Sequence, residues 1–178
     1  MIFVGPTHQQ LAIFGNKAAT RLLAAKLGVP LVPGTNGDTP LAKVLEFQSQ
    51  HSDKSILIKA ISGGGGRGMR IVEKKKDVEK NFTRCKSEAK LAFGDDRVYV
   101  ELLIPHARHI EVQVAGDGTG KVTHLWERDC SAQRQNQKII EIAPSPNLPE
   151  PTRTALLNAS LNMASEAKYQ GVGTFEFL

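Results

Sequence analysis

Ser55-Ile56-Leu57-Ile58-Lys59-Ala60-Ile61-Ser62-Gly63-Gly64-Gly65-Gly66-Arg67-Gly68-Met69-Arg70-Ile71-Val72-Glu73 is the stretch on which the fold turns. Its first six residues are a β-branched run that reads as a buried strand, and residues 69–73 are short and apolar enough to return beside it. Between the two, five glycines fall in the six positions 63–68. Gly63, Gly65 and Gly68 formally satisfy G-x-G-x-x-G, but a dinucleotide fingerprint needs a helix directly after the loop, and a strand-like segment stands there. No Lys-Ser or Lys-Thr closes the loop, which removes a P-loop. What remains is a glycine loop between antiparallel strands, with Lys59 near the end of the first. Such a loop can offer backbone N–H groups to a polyphosphate while the lysine supplies a point charge. The plainer alternative is a solvent-exposed hairpin tip.

Upstream of this unit, residues 29–37 hold two prolines and two glycines and read as a linker. Thr39-Pro40 make an N-cap and first-turn pair for a helix reaching about Gln50. Residues 2–4 read as a short buried strand, and residues 7–27 as a helix broken at Gly15-Asn16 and ended by Gly28. Downstream, Val78, Phe82, Cys85, Ala89 and Phe93 recur at steps of 4, 3, 4 and 4, an amphipathic helix closed by Gly94. Residues 98–104 form a strand ended by Pro105. Over residues 109–115, Ile110, Val112 and Val114 alternate with His109, Glu111 and Gln113, and the polar set reads as the wet side of a sheet. Gly116-Asp117-Gly118-Thr119-Gly120 makes a hairpin turn. Residues 121–128 return, a polar loop follows, and residues 138–143 form a further strand. Four prolines between 144 and 151 lead into a helix over about 152–168, and the chain closes in a strand-like Thr174-Phe175-Glu176-Phe177-Leu178. The order is α+β, in two lobes.

The 178 residues are 40% hydrophobic and 23% charged, which is average globular usage. No apolar run approaches the ~18–20 residues of a membrane span. The opening residues lack the basic region of a signal peptide. Two cysteines, Cys85 and Cys130, are too few for a disulfide scaffold or a thiolate metal cage, and they fit a reduced compartment. Lys and Arg exceed Asp and Glu by 23 to 18, but they are scattered apart from Lys74-Lys75-Lys76, and 6% aromatic residues leave few platforms for stacking bases. Neither nucleic acid nor a membrane is an expected partner; an anionic small molecule is.

Three other places carry candidate chemistry. Glu101 ends a strand before the Pro-stopped segment Leu102-Leu103-Ile104-Pro105; taken alone it is a surface carboxylate, yet this segment could also grip an adenine edge. Residues 127–138 are dense in charge and amides, which suits anion binding in a cleft or simply a hydrophilic loop; Cys130 within them reads as structural. Glu176, in an apolar strand, either faces solvent or binds a cation, since Mg²⁺ is typically held by one or two carboxylates plus phosphates.

Taken together these stretches resemble the biotin carboxylase component of biotin-dependent carboxylases, a branch of the ATP-grasp fold. The matching residues are Phe3-Val4-Gly5-Pro6, Gly15-Asn16-Lys17, Ile58-Lys59-Ala60 with 63–69, Arg108-His109-Ile110-Glu111-Val112-Gln113, Glu127-Arg128-Asp129-Cys130-Ser131, Gln137-Lys138 and Gly173-Thr174-Phe175-Glu176-Phe177-Leu178. They stand in family order at family-like spacing. The wording of 97–101 through 124–127 looks most like single-chain acyl-CoA carboxylases, and Pro33-Gly34-Thr35 looks like pyruvate carboxylase.

The resemblance implies an ATP-grasp fragment: the tail of an N-terminal lobe in 1–30, a hinged lid in 31–103, and the start of a C-terminal subdomain in 104–178. It implies that Lys17 and Lys59 contact ATP phosphates, that Gly64, Gly65 and Gly66 form the phosphate loop, and that Met69 closes that stretch against the nucleotide. Glu101 would accept from the adenine amino group, Leu103 would offer backbone to the ring, and His109 and Gln133 would lie along the nucleotide. Lys138 would bind bicarbonate or carboxyphosphate, and Glu176 would be one of two carboxylates on Mg²⁺ (or Mn²⁺). The implied enzyme is an ATP-dependent ligase. It makes carboxyphosphate from bicarbonate and passes its CO₂ to biotin on a carrier domain, beside a carboxyltransferase domain. Its parent is expected to be a homo-oligomer in the cytoplasm, or in mitochondria for a eukaryotic carboxylase. Two departures stand out. Gln135-Asn136 replace the family's Arg-His, which removes a fixed charge. The second metal carboxylate and the general base are expected beyond Leu178, so this stretch alone is expected to be inactive.

Overall fold

In the computed structural model, which describes residues 3–63 and 66–178, the opening stretch forms the antiparallel pair its pattern requires. β1 (Ile56–Ala60) pairs with β2 (Met69–Val72), with Lys59 opposite Met69. On its other side β1 pairs with β3 (Val98–Leu102), giving a three-stranded sheet of order β2-β1-β3. Because side chains alternate across a strand, Ile56, Ile58, Val98, Val100 and Leu102 share one face. They form the core with Val44 of α3 (Leu41–Gln50) and Val78 and Cys85 of α4 (Val78–Phe93). Lys59, Tyr99 and Glu101 are thereby left on the opposite face. α4 ends as its sequence indicates, on Gly94 at φ +72°.

Ahead of this sheet lie α1 (His8–Phe14) and α2 (Lys17–Lys26), broken where Asn16 caps the second helix through its side-chain oxygen, which accepts from the amides of Ala18 and Ala19. The N-cap of α3 differs from the expectation. Pro40 occupies it and makes no side-chain cap, because the Thr39 hydroxyl is engaged 2.6 Å from Thr35 Oγ1 and donates to the Gly37 carbonyl. Nor is 29–37 a loose linker throughout. The Thr35 amide donates to Val100 O at 2.8 Å, the Leu102 amide to Pro33 O at 2.9 Å, and Gly34 bridges to Glu101. Gly34 is required there by close approach, since a Cβ would sit 2.6 Å from the Val100 carbonyl oxygen. Gly34→Ala should therefore cost about 1–3 kcal/mol of stability, read as a lowered denaturation midpoint.

The chain divides into two compact units, Ile13–Pro105 and the segments Met1–Ala12 with His106–Leu178. The second unit is a four-stranded antiparallel sheet of order β6-β5-β4-β7. Its strands are β4 (Ile110–Asp117), β5 (Val122–Arg134), β6 (Gln137–Ile142) and β7 (Gln170–Phe177), and α5 (Glu150–Glu166) packs against β4 and β5.

Two expectations are corrected in this unit. Phe3 and Val4 are exposed and form no strand, while Ile2 lies outside the described residues. The supposed polar loop after Arg128 is β5 running on to Arg134, and a tight turn then leads into β6. Gln135 (φ +51°) and Asn136 (φ +63°) make that turn, and successive positive φ values are what a two-residue hairpin of this twist demands. The family's missing arginine thus falls at a position whose backbone conformation is set by the hairpin.

Buried Glu127, 1% exposed, lies on the face toward α5. Its Oε1 accepts from Arg153 Nε at 2.9 Å and from the Ser145 amide at 3.2 Å. No helix among the described residues is long and apolar enough to cross a membrane.

Candidate functional site

In the first unit, the face of β1 and β3 turned away from the core gathers charge. Glu101 is 5% exposed, so it is not the surface carboxylate its sequence context alone suggests. Lys59 Nζ donates to its Oε1 at 2.9 Å, and Arg21 of α2 brings NH1 to 3.6 Å from its Oε2. Both cations also stand over the Tyr99 ring, at 5.8 Å for Arg21 and 5.9 Å for Lys59. Burial, then the charge of Glu101 and a hydrogen bond to it, raises the Tyr99 phenol well above its ordinary range, so it stays protonated. Met69 flanks Lys59 in register across β2.

The Lys17 ammonium donates to the carbonyl of Gly63, the first glycine of the loop. Gly66 and Gly68 carry positive φ, the conformation that favours glycine, whereas Gly64 and Gly65 lie outside the described residues. The Leu103 amide donates to Ser55 O at 2.9 Å, so its backbone donor is already engaged.

In the second unit, Glu111 contradicts the reading of a wet sheet face: it is 3% exposed. β4 is an inner strand, and register puts Glu111 opposite Arg128 on β5 and Glu176 on β7. Arg128 donates through NH2 to Glu111 Oε2 and through NH1 to Gln113 Oε1, each at 2.9 Å, and its Nε lies 3.4 Å from Glu141. Lys138 of β6 pairs with Glu111 and donates to Glu176 Oε1 at 2.9 Å. The Glu176 side chain is 67% exposed. One sheet face, opposite the one that packs on α5, therefore presents two cations bracketed by acids, an arrangement that can hold an anion beside a metal-binding or proton-accepting carboxylate.

His109 and Gln133 are half-buried at the same end of β4 and β5. The His109 amide donates to Ser131 Oγ at 2.9 Å, and Gln133 Nε2 donates to the Cys130 carbonyl at 2.8 Å. Asp129 is stitched to Arg108 at 2.7 Å. Burial works to raise its pKa, but hydrogen bonds from Ser131 and Arg108 outweigh that and the net shift is downward. Its contribution to stability is therefore present above the ordinary aspartate pKa and lost as pH falls through the lowered one.

Arg21, Arg128 and Glu111 are the residues sequence reasoning left without a role. For Glu111 the sequence shows only a carboxylate on a strand's polar face; that the strand is an inner one depends on partners later in the chain. Arg21 has no signal in the sequence, because its partner is far along the chain. Among the described residues no group of three or more His, Cys, Asp or Glu side chains is arranged to hold a metal ion.

Both cysteines are buried and unpaired by disulfides. Burial pushes the Cys85 thiol up to about 11, and burial also raises Cys130. Thiolate is the reactive form, so neither should react with a thiol reagent at pH 8 until the protein unfolds. Rapid labelling of the native protein at either position would contradict this.

Comparison with known proteins adds four matches. Residues 16–178 match the family model described as carbamoyl-phosphate synthase L chain, ATP binding domain. The pyruvate carboxylase of Bacillus subtilis (strain 168) is 47% identical over 178 residues, 100% of this chain and 16% of that protein. The mitochondrial methylcrotonoyl-CoA carboxylase subunit alpha of Dictyostelium discoideum is 44% identical over 178 residues, 100% of this chain and 26% of that protein. Among solved structures, the biotin carboxylase domain dimer of Hydrogenobacter thermophilus 2-oxoglutarate carboxylase, in complex with MgADP, ADP and bicarbonate, matches with a TM-score of 0.91 at 38% identity. That match covers 98% of this chain and 39% of the other. The chain thus spans well under half the length of each of these relatives.

Proposed function

This chain belongs to the carbamoyl-phosphate synthase L chain ATP-binding domain family, and on that premise we propose that it is the nucleotide- and bicarbonate-handling part of a biotin carboxylase. The reaction is phosphoryl transfer from ATP to bicarbonate, giving carboxyphosphate whose CO₂ passes to biotin on a carrier domain. A carboxyltransferase domain then delivers it to the final acceptor. Three phosphates and an anionic nucleophile repel one another, so what a protein must supply is fixed positive charge and amide donors.

In this reading Lys17 and Lys59 contact the phosphates, the amides of Gly64, Gly65 and Gly66 cover them, and Met69 packs beside the nucleotide. Glu101 and Leu103 face the adenine amino group with acceptors, because the Leu103 amide is already committed to Ser55. His109 and Gln133 line the nucleotide. Lys138, with Arg128 beside it, takes bicarbonate. Residues 31–103 act as the lid, between the tail of an N-terminal lobe in 1–30 and the C-terminal subdomain that opens at 104. The parent is a cytoplasmic homo-oligomer, or mitochondrial if eukaryotic.

Glu176 fits one place in a Mg²⁺ site: its carboxylate is exposed on the charged sheet face and held on one oxygen by Lys138. Mg²⁺ is commonly held by one or two carboxylates plus substrate phosphates. Bound there, the metal would supply neutralising charge to the phosphates.

The observation that carries this reading is the pairing of Lys138 and Arg128 with Glu111 and Glu176 on one open face. Its test is phosphate release by the full-length carboxylase with and without bicarbonate, together with carboxylation of biotin. ATP binding without bicarbonate-stimulated turnover, or turnover with another acid in place of bicarbonate, would sink it. Lys59→Ala should raise the KM for ATP by about tenfold or more, the loss of one charge-assisted contact. Glu176→Gln should instead raise the Mg²⁺ concentration for half-maximal rate. If both variants keep wild-type kcat/KM for ATP at low Mg²⁺, these assignments are wrong.

A further inference from the structure

Glu101 has a cation at each oxygen. Lys59 bonds one at 2.9 Å and Arg21 lies 3.6 Å from the other. The two cations are not held alike. Arg21 NH2 also donates to the Val32 carbonyl at 2.9 Å, and its side chain is 11% exposed, so its place does not depend on Lys59. Lys59 is the more exposed, with a mobile point charge on a flexible stem, whereas a guanidinium is planar and fixed by its several bonds.

We propose that Arg21 is a positioning residue for Lys59: by holding the charge of buried Glu101, it lets the Lys59 ammonium leave that carboxylate for a nucleotide phosphate. This rests on the reading of Lys59 as a phosphate contact. With Arg21 present, Glu101 keeps one cation when Lys59 departs. Without it, Lys59 is the only cation left on Glu101, and moving it strands an uncompensated buried carboxylate, which is strongly unfavourable. Arg21 thus acts on nucleotide affinity through Glu101 and Lys59, touching no phosphate itself.

The experiment is a double-mutant cycle in the full-length carboxylase, reading KM for ATP and kcat of bicarbonate-dependent phosphate release. Arg21→Met should raise KM for ATP about tenfold with kcat within about twofold of wild type. In a Glu101→Gln background there is no charge to hold, so adding Arg21→Met should change KM by less than about twofold. Arg21→Lys, which keeps the charge, should stay within about threefold of wild type. Equal effects of Arg21→Met in both backgrounds would mean that Arg21 touches the nucleotide directly or acts only on the fold, and would overturn the proposal. So would an unchanged KM. If Arg21→Met does not fold, folding restored by Glu101→Gln supports charge compensation, and failure of both variants overturns it. Lys59→Ala separates the two levels. An unchanged KM there removes the phosphate-contact reading and this inference with it. A raised KM with an additive cycle removes only the role of Arg21.

Discussion

Lys138→Met in the full-length carboxylase is expected to cut kcat for bicarbonate-dependent ATP cleavage about 10²–10³-fold, the scale seen when a preorganised charge aimed at a reacting oxyanion is lost. The reason lies in the balance of charge on the sheet face. Lys138 stands between Glu111 and Glu176, which face each other across β4 and β7, and Arg128 is the other cation in contact with Glu111. Removing Lys138 makes the face one charge more negative where an anion has to enter. It also frees Glu176 from the contact that orients one of its oxygens. Lys138→Arg keeps the charge on a longer, forked head and should recover part of the rate. Initial rates of phosphate release, with and without bicarbonate, decide it; a loss below about tenfold would assign Lys138 to packing of the sheet edge instead.

The largest expected effect on stability belongs to Arg153→Met, at about 3–5 kcal/mol, because it breaks a buried ion pair from one side. Glu127 is buried, its Oε1 shared by Arg153 and the Ser145 amide, and its Oε2 has no hydrogen-bond partner. The carboxylate is therefore already under-compensated, and Arg153 is the cation that holds it. Pairing Arg153→Met with Glu127→Gln should recover most of the loss, since removing both charges together avoids stranding either. The readout is the denaturant midpoint at unchanged slope. A drop below about 1 kcal/mol for the single change would show that the Ser145 amide and solvent suffice.

What the sequence made legible was whatever a single periodicity could carry. The antiparallel β1–β2 pair, the amphipathic α4 closed by Gly94 and the apolar side of β4 each follow from local spacing, and all three are present. The ATP-grasp fold of biotin carboxylases expected from the combined motifs also stands, given the matches at 38% identity or better. What was missed depends on partners that spacing cannot supply. The second half of β5 is polar and lacks the alternation that marks a half-buried strand, and the turn that leads from it into β6 contains no glycine. Glu111 looks solvated in sequence because the residues that bury it, on β5, β6 and β7, come later in the chain. Glu101 looks like a surface carboxylate in sequence because its cation partners, Lys59 on β1 and Arg21 on α2, stand far from it along the chain.

The strand order β6-β5-β4-β7 also sets a timetable at the ribosome. β4, β5 and β6 are contiguous and can zip into a meander as soon as they emerge, whereas β7 reaches its place beside β4 only after α5 has been made. At about 5–20 residues per second the free edge of β4 waits a few seconds for its neighbour. During that wait Glu111 and Gln113 stand on an open edge strand, where a carboxylate discourages pairing with a stray chain. The acid that the finished sheet buries between two cations thus guards the nascent one against aggregation.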